Sequence, residues 1–419
     1  MRKKDCSTLP RRKSRTVPCA YVAPGNCSMC VETPMSKLRV RVYNVRFGDC
    51  ILLTIPEEDE RGDAKTIHVL IDIGNALARE GGLDDVFEPV LRDILTVLDG
   101  APLDLYIMTH EHMDHIQGLM YGASKLNLDL KAKEVWMTAS SEADYYDRFE
   151  KARKQKRAAL TIYDDISGFF AAWPAAPPPP AIAALLALND PRTSRDCVDH
   201  IASIGPQPPL YVHREAEIEG RSPFRRTKVR LLAPEEDTSV YYGRLSPHTL
   251  ALMDPDEAGA AMAAATLTPP VGVSQKDFAD LIKFRSSGMS SNLLQIDKAA
   301  NNSSVVIELE WEGWILLLPG DAEEKSWAIM DRKGLLRPAH FLKVSHHGSV
   351  NGTPPEVYEK VLPEVAPDDR ARIAVVSTFN GSYPGVPNAD TLTALSTRAT
   401  LYDTRTLEPG RSFDFEFEA

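Results

Sequence analysis

The amino-acid sequence predicts an α/β fold in which helices and strands form α/β/β/α layers, with insertions in the middle of the chain. Two observations carry this prediction. Residues 38–139 show strand patterns followed by a helix and further strands, and residues 303–419 again interleave apolar strand runs with helices. Several of these strands end in polar residues, so candidate functional groups lie at strand termini.

The first half of the chain opens with strands. LRVRVYNV alternates apolar and polar residues, and ILLTI and IHVLIDIG are short apolar runs of the kind found in buried strands. Val, Leu and Ile recur at helical spacing over residues 86–98, which predicts a helix. The apolar strand LDLYIMTH then ends at His110, and a short helix near Gly118–Lys125 and the strand KEVWMTA follow.

Two insertions are predicted in the middle of the chain, at about 141–207 and 237–300. A charged surface helix over residues 140–166 leads into AAWPAAPPPPAIAALLAL, where four consecutive prolines favour polyproline II and indicate a linker. Strand patterns return in PLYVHREAEI and TKVRLLAP, and the second insertion is mixed, with Ala-rich and Ser-rich stretches. We expect the two insertions to decorate one face of the fold.

The second half repeats the alternation of strand and helix. SVVIELEW and WILLLPGD are apolar runs separated by Glu312 and Gly313, which predicts a hairpin. FLKVSHHGS and IAVVSTFN each run from a strand into polar residues. Helices are predicted for EEKSWAIMDRKG and PEVYEKVL.

Composition and charge narrow the possible partners. Hydrophobic residues make up 43% of the chain and charged residues 26%, and no apolar run approaches the roughly 18 to 20 residues that span a bilayer. We therefore expect a soluble protein without a membrane partner. The net charge of -11 repels polyanions, so a nucleic-acid substrate would need a local basic patch. The cysteine spacing is not that of a disulfide framework, which favours a reducing, cytoplasmic location.

Residues 1–34 form a basic tail that differs from the rest of the chain. They show no apolar periodicity and no hydrophobic region of a secretory signal. We interpret the tail as disordered, or as an artefact of start-site assignment with Met35 as the true start, and we expect one domain over 35–419. The alternative is a zinc knuckle formed by the four cysteines of the tail, Cys6, Cys19, Cys27 and Cys30.

The strongest local signal is an HxHxDH run at the end of an apolar strand. It contains His110, His112, Asp114 and His115. Three imidazoles and a carboxylate within six residues suit divalent metals such as zinc. A solvated polar loop is the alternative interpretation, but it would not explain why an apolar strand delivers all four side chains together. The run therefore predicts metal ligands.

The HxHxDH run resembles the signature of the metallo-β-lactamase superfamily, and other motifs of that superfamily follow in order. VLIDIGN resembles its early strand ending in Asp, WILLLPGD its later strand ending in a bridging carboxylate, and LKVSHHGS its final histidine motif. The resemblance implies a four-layer α/β/β/α metallo-β-lactamase-like sandwich with insertions. FGDC, NNSSVVIELE and LKVSHHGS look like the soluble hydrolase domain of bacterial DNA-uptake competence proteins.

A binuclear centre with two divalent ions is what this resemblance implies. Asp72 would hydrogen-bond a ligand histidine. Either histidine of the pair His346 and His347 fits the ligand position; we assign His347 to the metal, and His346 to proton donation to the substrate or leaving group. The full set of expected metal ligands is His110, His112, Asp114, His115, Asp321 and His347.

The sequence departs from the superfamily pattern at one position. Many members carry a further histidine before the bridging Asp, whereas this chain has Asn301-Asn302-Ser303-Ser304 there. We interpret Asn302 as a weak ligand or substrate contact. The first metal site would then have fewer ligands, which makes manganese a rival to zinc.

The function that this resemblance implies is metal-dependent hydrolysis by a metal-bridged hydroxide that Asp114 orients, with a phosphodiester as the leading substrate. A nuclease would need cationic contacts, and RSPFRRTKVR and KARKQKR are two basic runs, but the overall acidity of the chain favours a solvated charged face for both. Two alternatives stay open: a small-molecule esterase, thioesterase or lactonase, and a non-catalytic scaffold that kept the fold.

Overall fold

The computed structural model describes residues 37–75, 84–172, 178, 180–245, 289, 291–379 and 385–419. The predictions for the tail at 1–34, including its cysteines, and for most of the second insertion fall outside the described residues. What is described is a mixed α/β structure with two mixed sheets flanked by helices.

Among the described residues, the first sheet contains seven strands: β1 (Lys37–Tyr43), β2 (Cys50–Glu58), β3 (Ala64–Ile73), β4 (Leu103–Met108), β5 (Ala132–Thr138), β6 (Leu210–Val212) and β13 (Ser412–Glu418). Their order across the sheet is β13-β1-β2-β3-β4-β5-β6. The pairs from β13 to β3 are antiparallel, and the pairs from β3 to β6 are parallel. The parallel part delivers the carboxyl ends of β3 and β4 to the same edge of the sheet.

The second sheet contains six strands within the described part of the chain: β7 (Lys228–Ala233), β8 (Val306–Trp311), β9 (Trp314–Leu318), β10 (Phe341–Lys343), β11 (Ile373–Val376) and β12 (Thr400–Asp403). Their order is β12-β11-β10-β9-β8-β7, with parallel pairing from β12 to β9. Strands β8 and β9 form the predicted hairpin. Its turn residues Glu312 and Gly313 both have positive φ, as a two-residue hairpin turn requires.

The described helices are α1 (Asp84–Leu98), α2 (Met113–Tyr121), α3 (Tyr145–Arg148), α4 (Glu150–Ala172), α5 (Pro180–Leu188), α6 (Pro191–Ala202), α7 (residues 291–302), α8 (Glu324–Arg332), α9 (Pro355–Val361) and α10 (Ala389–Ser396). Short helical turns occur at Gly122–Leu126, Ala139–Ser141, Thr238–Tyr241, His346–Gly348 and Thr404–Thr406. None of the helices in the described ranges combines the length and apolarity needed to cross a membrane.

The apolar faces of the two sheets share one core. Ile107 of the first sheet and Leu316 of the second belong to the same buried cluster. Helices cover the opposite faces: α1, α2 and α6 pack on the first sheet, and α8, α9 and α10 pack on the second. Strand β4 is consequently buried at all six positions, which explains its unbroken apolar sequence.

The inserted segments differ from their sequence-based predictions in three ways. The charged helix predicted over 140–166 is interrupted at Phe149, and its second part continues to Ala172. A helix, α5, begins at the last of the four prolines, where a proline needs no hydrogen-bonded N–H. Helix α6 packs into the core beside α2 instead of decorating the surface. Helices α4, α5 and α7 share a separate apolar cluster, so the two insertions pack against each other.

Candidate metal centre

The turn between β4 and α2 carries four candidate ligands. Strand β4 ends at Met108, and α2 begins at Met113 with His112 as the residue preceding it. Asp114 lies in the first turn of α2. Because the turn is covered by both halves of the chain, all four side chains are buried, with exposed fractions of 0 to 4% for His110, His112, Asp114 and His115.

Four side chains from both halves of the chain meet at one point. Their nitrogen and oxygen atoms lie within 4.8 Å of one another, and the group consists of Asp114, His115, Asp321 and His347. Nε2 of His347 is 3.1 Å from Oδ2 of Asp114 and 3.2 Å from Oδ2 of Asp321. Nε2 of His115 is also 3.2 Å from Oδ2 of Asp321. Asp321 therefore lies between the two imidazoles, and we call this group the central cluster.

Hydrogen bonds on the outer side of each imidazole fix its orientation. The Nδ1–H of His115 donates to Oδ2 of Asp72 at 2.7 Å, and the same carboxylate accepts the N–H and the hydroxyl of Thr109. The Nδ1–H of His347 donates to the carbonyl of Ser377 at 2.9 Å. With Nδ1 as the donor in both rings, Nε2 points into the central cluster, as metal-binding histidines require.

The central cluster fits a divalent cation. Two imidazole nitrogens and two carboxylates are a donor set that suits zinc or manganese. Oδ1 of Asp114 and Oδ1 of Asp321 are buried and have no hydrogen-bond partner within the described residues. Burial by itself would lower the pKa of His347, but Asp321 and Asp114 raise it to about 10. The carboxylates thus attract positive charge to this point, which a bound divalent ion would supply.

His110 and His112 lie next to the central cluster but outside its four-residue group. The ring of His110 is centred 4.2 Å from that of His115 and 4.7 Å from that of His112. Burial and the two neighbouring histidines lower the pKa of His110 well below its ordinary value, and its Nε2 has no hydrogen-bond partner in the described part of the chain. A neutral imidazole with a free nitrogen suits a metal ligand. Nε2 of His112 is 3.1 Å from Oδ1 of Asn189.

A second group, of two buried carboxylates and a half-buried histidine, was not anticipated from the sequence. Asp297, Glu323 and His346 also place ligand atoms within 4.8 Å of one another. We call them the outer cluster. Burial raises the pKa of Asp297, and Nε2 of His112 is 3.8 Å from its Oδ1. Glu323 is close in sequence to Asp321, and His346 is adjacent to His347, so the sequence motifs already point to these two residues. No sequence pattern indicates that α7 brings Asp297 next to them.

Asn301 and Asn302, which precede β8, have different contacts, and those of Asn302 differ from the predicted role as a weak ligand or substrate contact. The amide of Asn302 donates to the carbonyl of Lys298 and accepts from the N–H of Ser326, so it ties α7 to α8. The neighbouring Asn301 faces the outer cluster, with Nδ2 at 2.8 Å from Oε1 of Glu323 and 3.3 Å from Nε2 of His346.

A cavity of about 320 Å³ opens beside His112. Part of its wall is apolar, and Lys156, Tyr146 and Tyr242 contribute polar groups. Tyr146 and Glu111 raise the pKa of Lys156 against the effect of burial, so this side chain is cationic. Helices α4, α5 and α6 from the first insertion supply much of the lining.

The two basic runs are largely engaged in ion pairs. Arg221 donates to Glu134, and Lys154 pairs with Glu150 one helical turn away. Arginines and lysines of the run 221–230 pair with acidic residues of the adjoining strands and loops: Arg225 with Glu60, Arg226 with Glu58 and Glu312, Lys228 with Glu310, and Arg230 with Glu308.

Known proteins give no further guidance: no family model matches this chain, and no curated protein matches its sequence. A functional proposal therefore rests on the arrangement of the buried side chains and of the cavity beside them.

Proposed function

We propose that this protein is a metal-dependent hydrolase with a four-layer, metallo-β-lactamase-like fold, and that its substrate is a small phosphodiester. The observation that carries the proposal is the central cluster, whose ligands follow β4, β9 and β10 and so come from both sheets. Two sheets with a shared core and helices on both outer faces are compatible with such a layered fold.

A divalent ion held by the central cluster would supply Lewis acidity, which would lower the pKa of water and offset the negative charge that develops on phosphoryl oxygens. The side chains of the protein would do the positioning. Asp72 and the carbonyl of Ser377 hold His115 and His347 in fixed orientations. Oδ2 of Asp114 contacts His347, whereas its Oδ1 has no hydrogen-bond partner among the described residues. We assign Oδ1 to orient the attacking water.

The size of the cavity favours a small substrate. A volume of about 320 Å³ lies at the lower end of the range for small-molecule sites. Lys156, whose ammonium group lies 3.7 Å from Glu111, would provide a cation for one anionic oxygen of the substrate. The apolar part of the wall would contact an organic substituent. Nucleic acid is disfavoured because the basic residues of the run 221–230 pair with acidic residues and the chain carries a net charge of -11.

The test combines metal content with turnover. The protein, purified without added metal, is analysed for bound metal and assayed on bis-p-nitrophenyl phosphate before and after chelation. We expect metal-dependent turnover that falls at least about 100-fold in Asp114→Asn. Asp331→Asn is the matched control, because Asp331 is a surface residue of α8 that pairs with Lys360.

Other outcomes would redirect or contradict the proposal. Turnover that survives complete chelation would exclude a metal-dependent mechanism. Cleavage of p-nitrophenyl butyrate instead of the phosphodiester would show that the substrate is a carboxylic ester, which the apolar part of the cavity wall would also accommodate. Faster cleavage of single-stranded DNA than of the small substrate would contradict the proposed substrate size.

A further inference from the structure

We infer that the outer cluster, Asp297, Glu323 and His346, is a second divalent-cation site. The three ligand atoms lie within 4.8 Å of one another, as they must to bind one ion. Asp297 and Glu323 are 6% and 1% exposed. Two carboxylates that are buried this deeply and this close together repel each other, and a cation bound between them would remove this repulsion.

The side-chain amides of three asparagines donate hydrogen bonds to the two carboxylates of the outer cluster. Asn301 donates to Oε1 of Glu323 at 2.8 Å and to Oδ2 of Asp297 at 3.3 Å. Asn189 donates to Oδ1 of Asp297 at 3.1 Å, and Asn351 donates to Oε2 of Glu323. Hydrogen bonds of this kind orient carboxylate ligands around metal ions. The donors come from three separate segments, so the arrangement depends on the complete fold.

A second observation concerns Asn301, the amide that borders both carboxylates. Oδ1 of Asn301 is buried and has no hydrogen-bond partner within the described residues, although the residue is only 1% exposed. A half-turn of this amide exchanges Oδ1 with Nδ2, and the two groups have the same shape. With an ion bound, the carbonyl oxygen would replace the NH₂ group of Asn301 beside Asp297 and Glu323 and act as a fourth ligand, while Asn189 and Asn351 would continue to hold the two carboxylates.

The ligand set indicates which ion binds. Two carboxylates, an amide oxygen and one imidazole are harder ligands than those of the central cluster, and they favour Mn²⁺ over Zn²⁺. Asp297 lies on α7, 3.8 Å from Nε2 of His112. The second insertion thus provides an acidic ligand in the region where the sequence lacks a further histidine. His346 becomes a cation ligand rather than the proton donor that the sequence suggested.

The competing arrangement is an ion-pair network without a metal. In that case a protonated His346, with Nδ1 at 3.1 Å from Oε1 of Glu323, would neutralise one carboxylate, and a proton on Asp297, whose pKa is raised by burial, would neutralise the other. The two arrangements differ in one measurable quantity, the number of ions bound per chain. The inference rests on the proposed function for its catalytic role alone, since ion binding is measured without turnover.

The experiment counts Mn²⁺ ions on the full-length protein. Wild type, Asp297→Asn, Glu323→Gln and the surface control Asp331→Asn are equilibrated with Mn²⁺, desalted and analysed by native mass spectrometry. We expect two ions in wild type and control, and one ion in each outer-cluster variant. The electron paramagnetic resonance spectrum should change from that of two interacting Mn²⁺ ions to that of a single one.

Each other outcome has a separate meaning. One ion in wild type, unchanged in the variants, would overturn the second site and leave the proposed function intact. Two ions in the variants would also overturn it, whereas no ion in wild type would end both proposals. If the variants fail to fold, hydrogen exchange on the wild-type protein tests the site instead. The second equivalent of Mn²⁺ should slow amide exchange in residues 295–302 about tenfold. Unchanged exchange would contradict the site.

Discussion

The ammonium group of Lys343 lies 2.7 Å from Oδ2 of Asp49, and both residues are almost fully buried. Lys343 ends β10 of the second sheet, and Asp49 immediately precedes β2 of the first, so the pair joins the two sheets. Oδ1 of Asp49 is also 3.8 Å from Nδ1 of His347. This ion pair therefore borders the central cluster and fixes the distance between its two halves.

Replacement of Lys343 should destabilise the protein strongly. Lys343→Met leaves the carboxylate of Asp49 buried without its partner, which should cost about 3–5 kcal/mol in the free energy of unfolding. Lys154→Met is the control, because its exposed pair with Glu150 should contribute less than about 1 kcal/mol. Urea denaturation measures both. Equal losses for the two variants would mean that the buried pair adds nothing beyond a surface pair.

Asp72→Asn should weaken metal binding without adding backbone strain. Asp72 has a φ of 53°, a conformation that asparagine tolerates. Its two oxygens accept from the N–H of Thr109 and from Nδ1–H of His115, and an amide has only one oxygen, so one donor would face an NH₂ group. We expect about a 10- to 100-fold lower metal affinity in competition with a chelator. Unchanged affinity would show that Asp72 does not orient His115.

Lys156→Met should affect substrate binding more than turnover. The cation lies in the wall of the cavity, so its loss should raise KM about tenfold and change kcat little. Lys154→Met again provides the control, since Lys154 lies on the same helix and does not line the cavity. A fall in kcat with no change in KM would mean that Lys156 acts on the reaction step and not on binding.

Two glycine substitutions should act in opposite directions. A Cβ on Gly74 would lie 2.2 Å from the backbone carbon of Asp114, so Gly74→Ala must displace the start of α2, at a cost of about 3 kcal/mol. Gly168→Ala in the exposed face of α4 meets no atom within 4 Å among the described residues and should stabilise by about 0.5–1 kcal/mol. Thermal denaturation with and without Mn²⁺ measures both. If Gly74→Ala keeps full stability and metal binding, the close contact is not required.

The stability contributed by Asp104 should depend on pH. Burial would raise the pKa of Asp104, but hydrogen bonds from Lys133 and from the N–H of His68 lower it below the ordinary value. Because the folded pKa is the lower one, the contribution is present above about pH 4 and is lost as the pH falls through the folded pKa. Asp104→Asn should therefore cost about 1–2 kcal/mol at pH 7 and almost nothing near pH 2. A loss independent of pH would contradict this origin.

Sequence patterns predict well where the central cluster lies, because local features determine it. The apolar strand before His110 is a buried strand, and Asp321 follows another one. The position of both side chains depends on where a strand ends, and a strand end can be predicted from a few consecutive residues. The same holds for the hairpin at Glu312 and Gly313, where two positive φ angles suit a short turn.

The outer cluster could not be predicted in this way. Asp297 belongs to α7, in a stretch whose Ala and Ser content has no clear period, and it reaches the site because α7 packs against α4 and α5. Strand β13 was also missed, although SFDFEFE alternates as a strand does; its pairing with β1 at the other end of the chain is what the local pattern does not show. Contacts between distant segments place both Asp297 and β13.

The pairing of β13 with β1 along the whole length of β1 also affects how the protein folds during synthesis. The edge of the first sheet stays open until residues 412–418 have left the ribosome. Until then, β1 exposes unpaired backbone groups that can bind other chains. His347 and Asp114, which are 233 residues apart, also meet only late. The four residues of the central cluster are therefore together only after residue 347 has been made, so any ion that the cluster binds must enter late in synthesis.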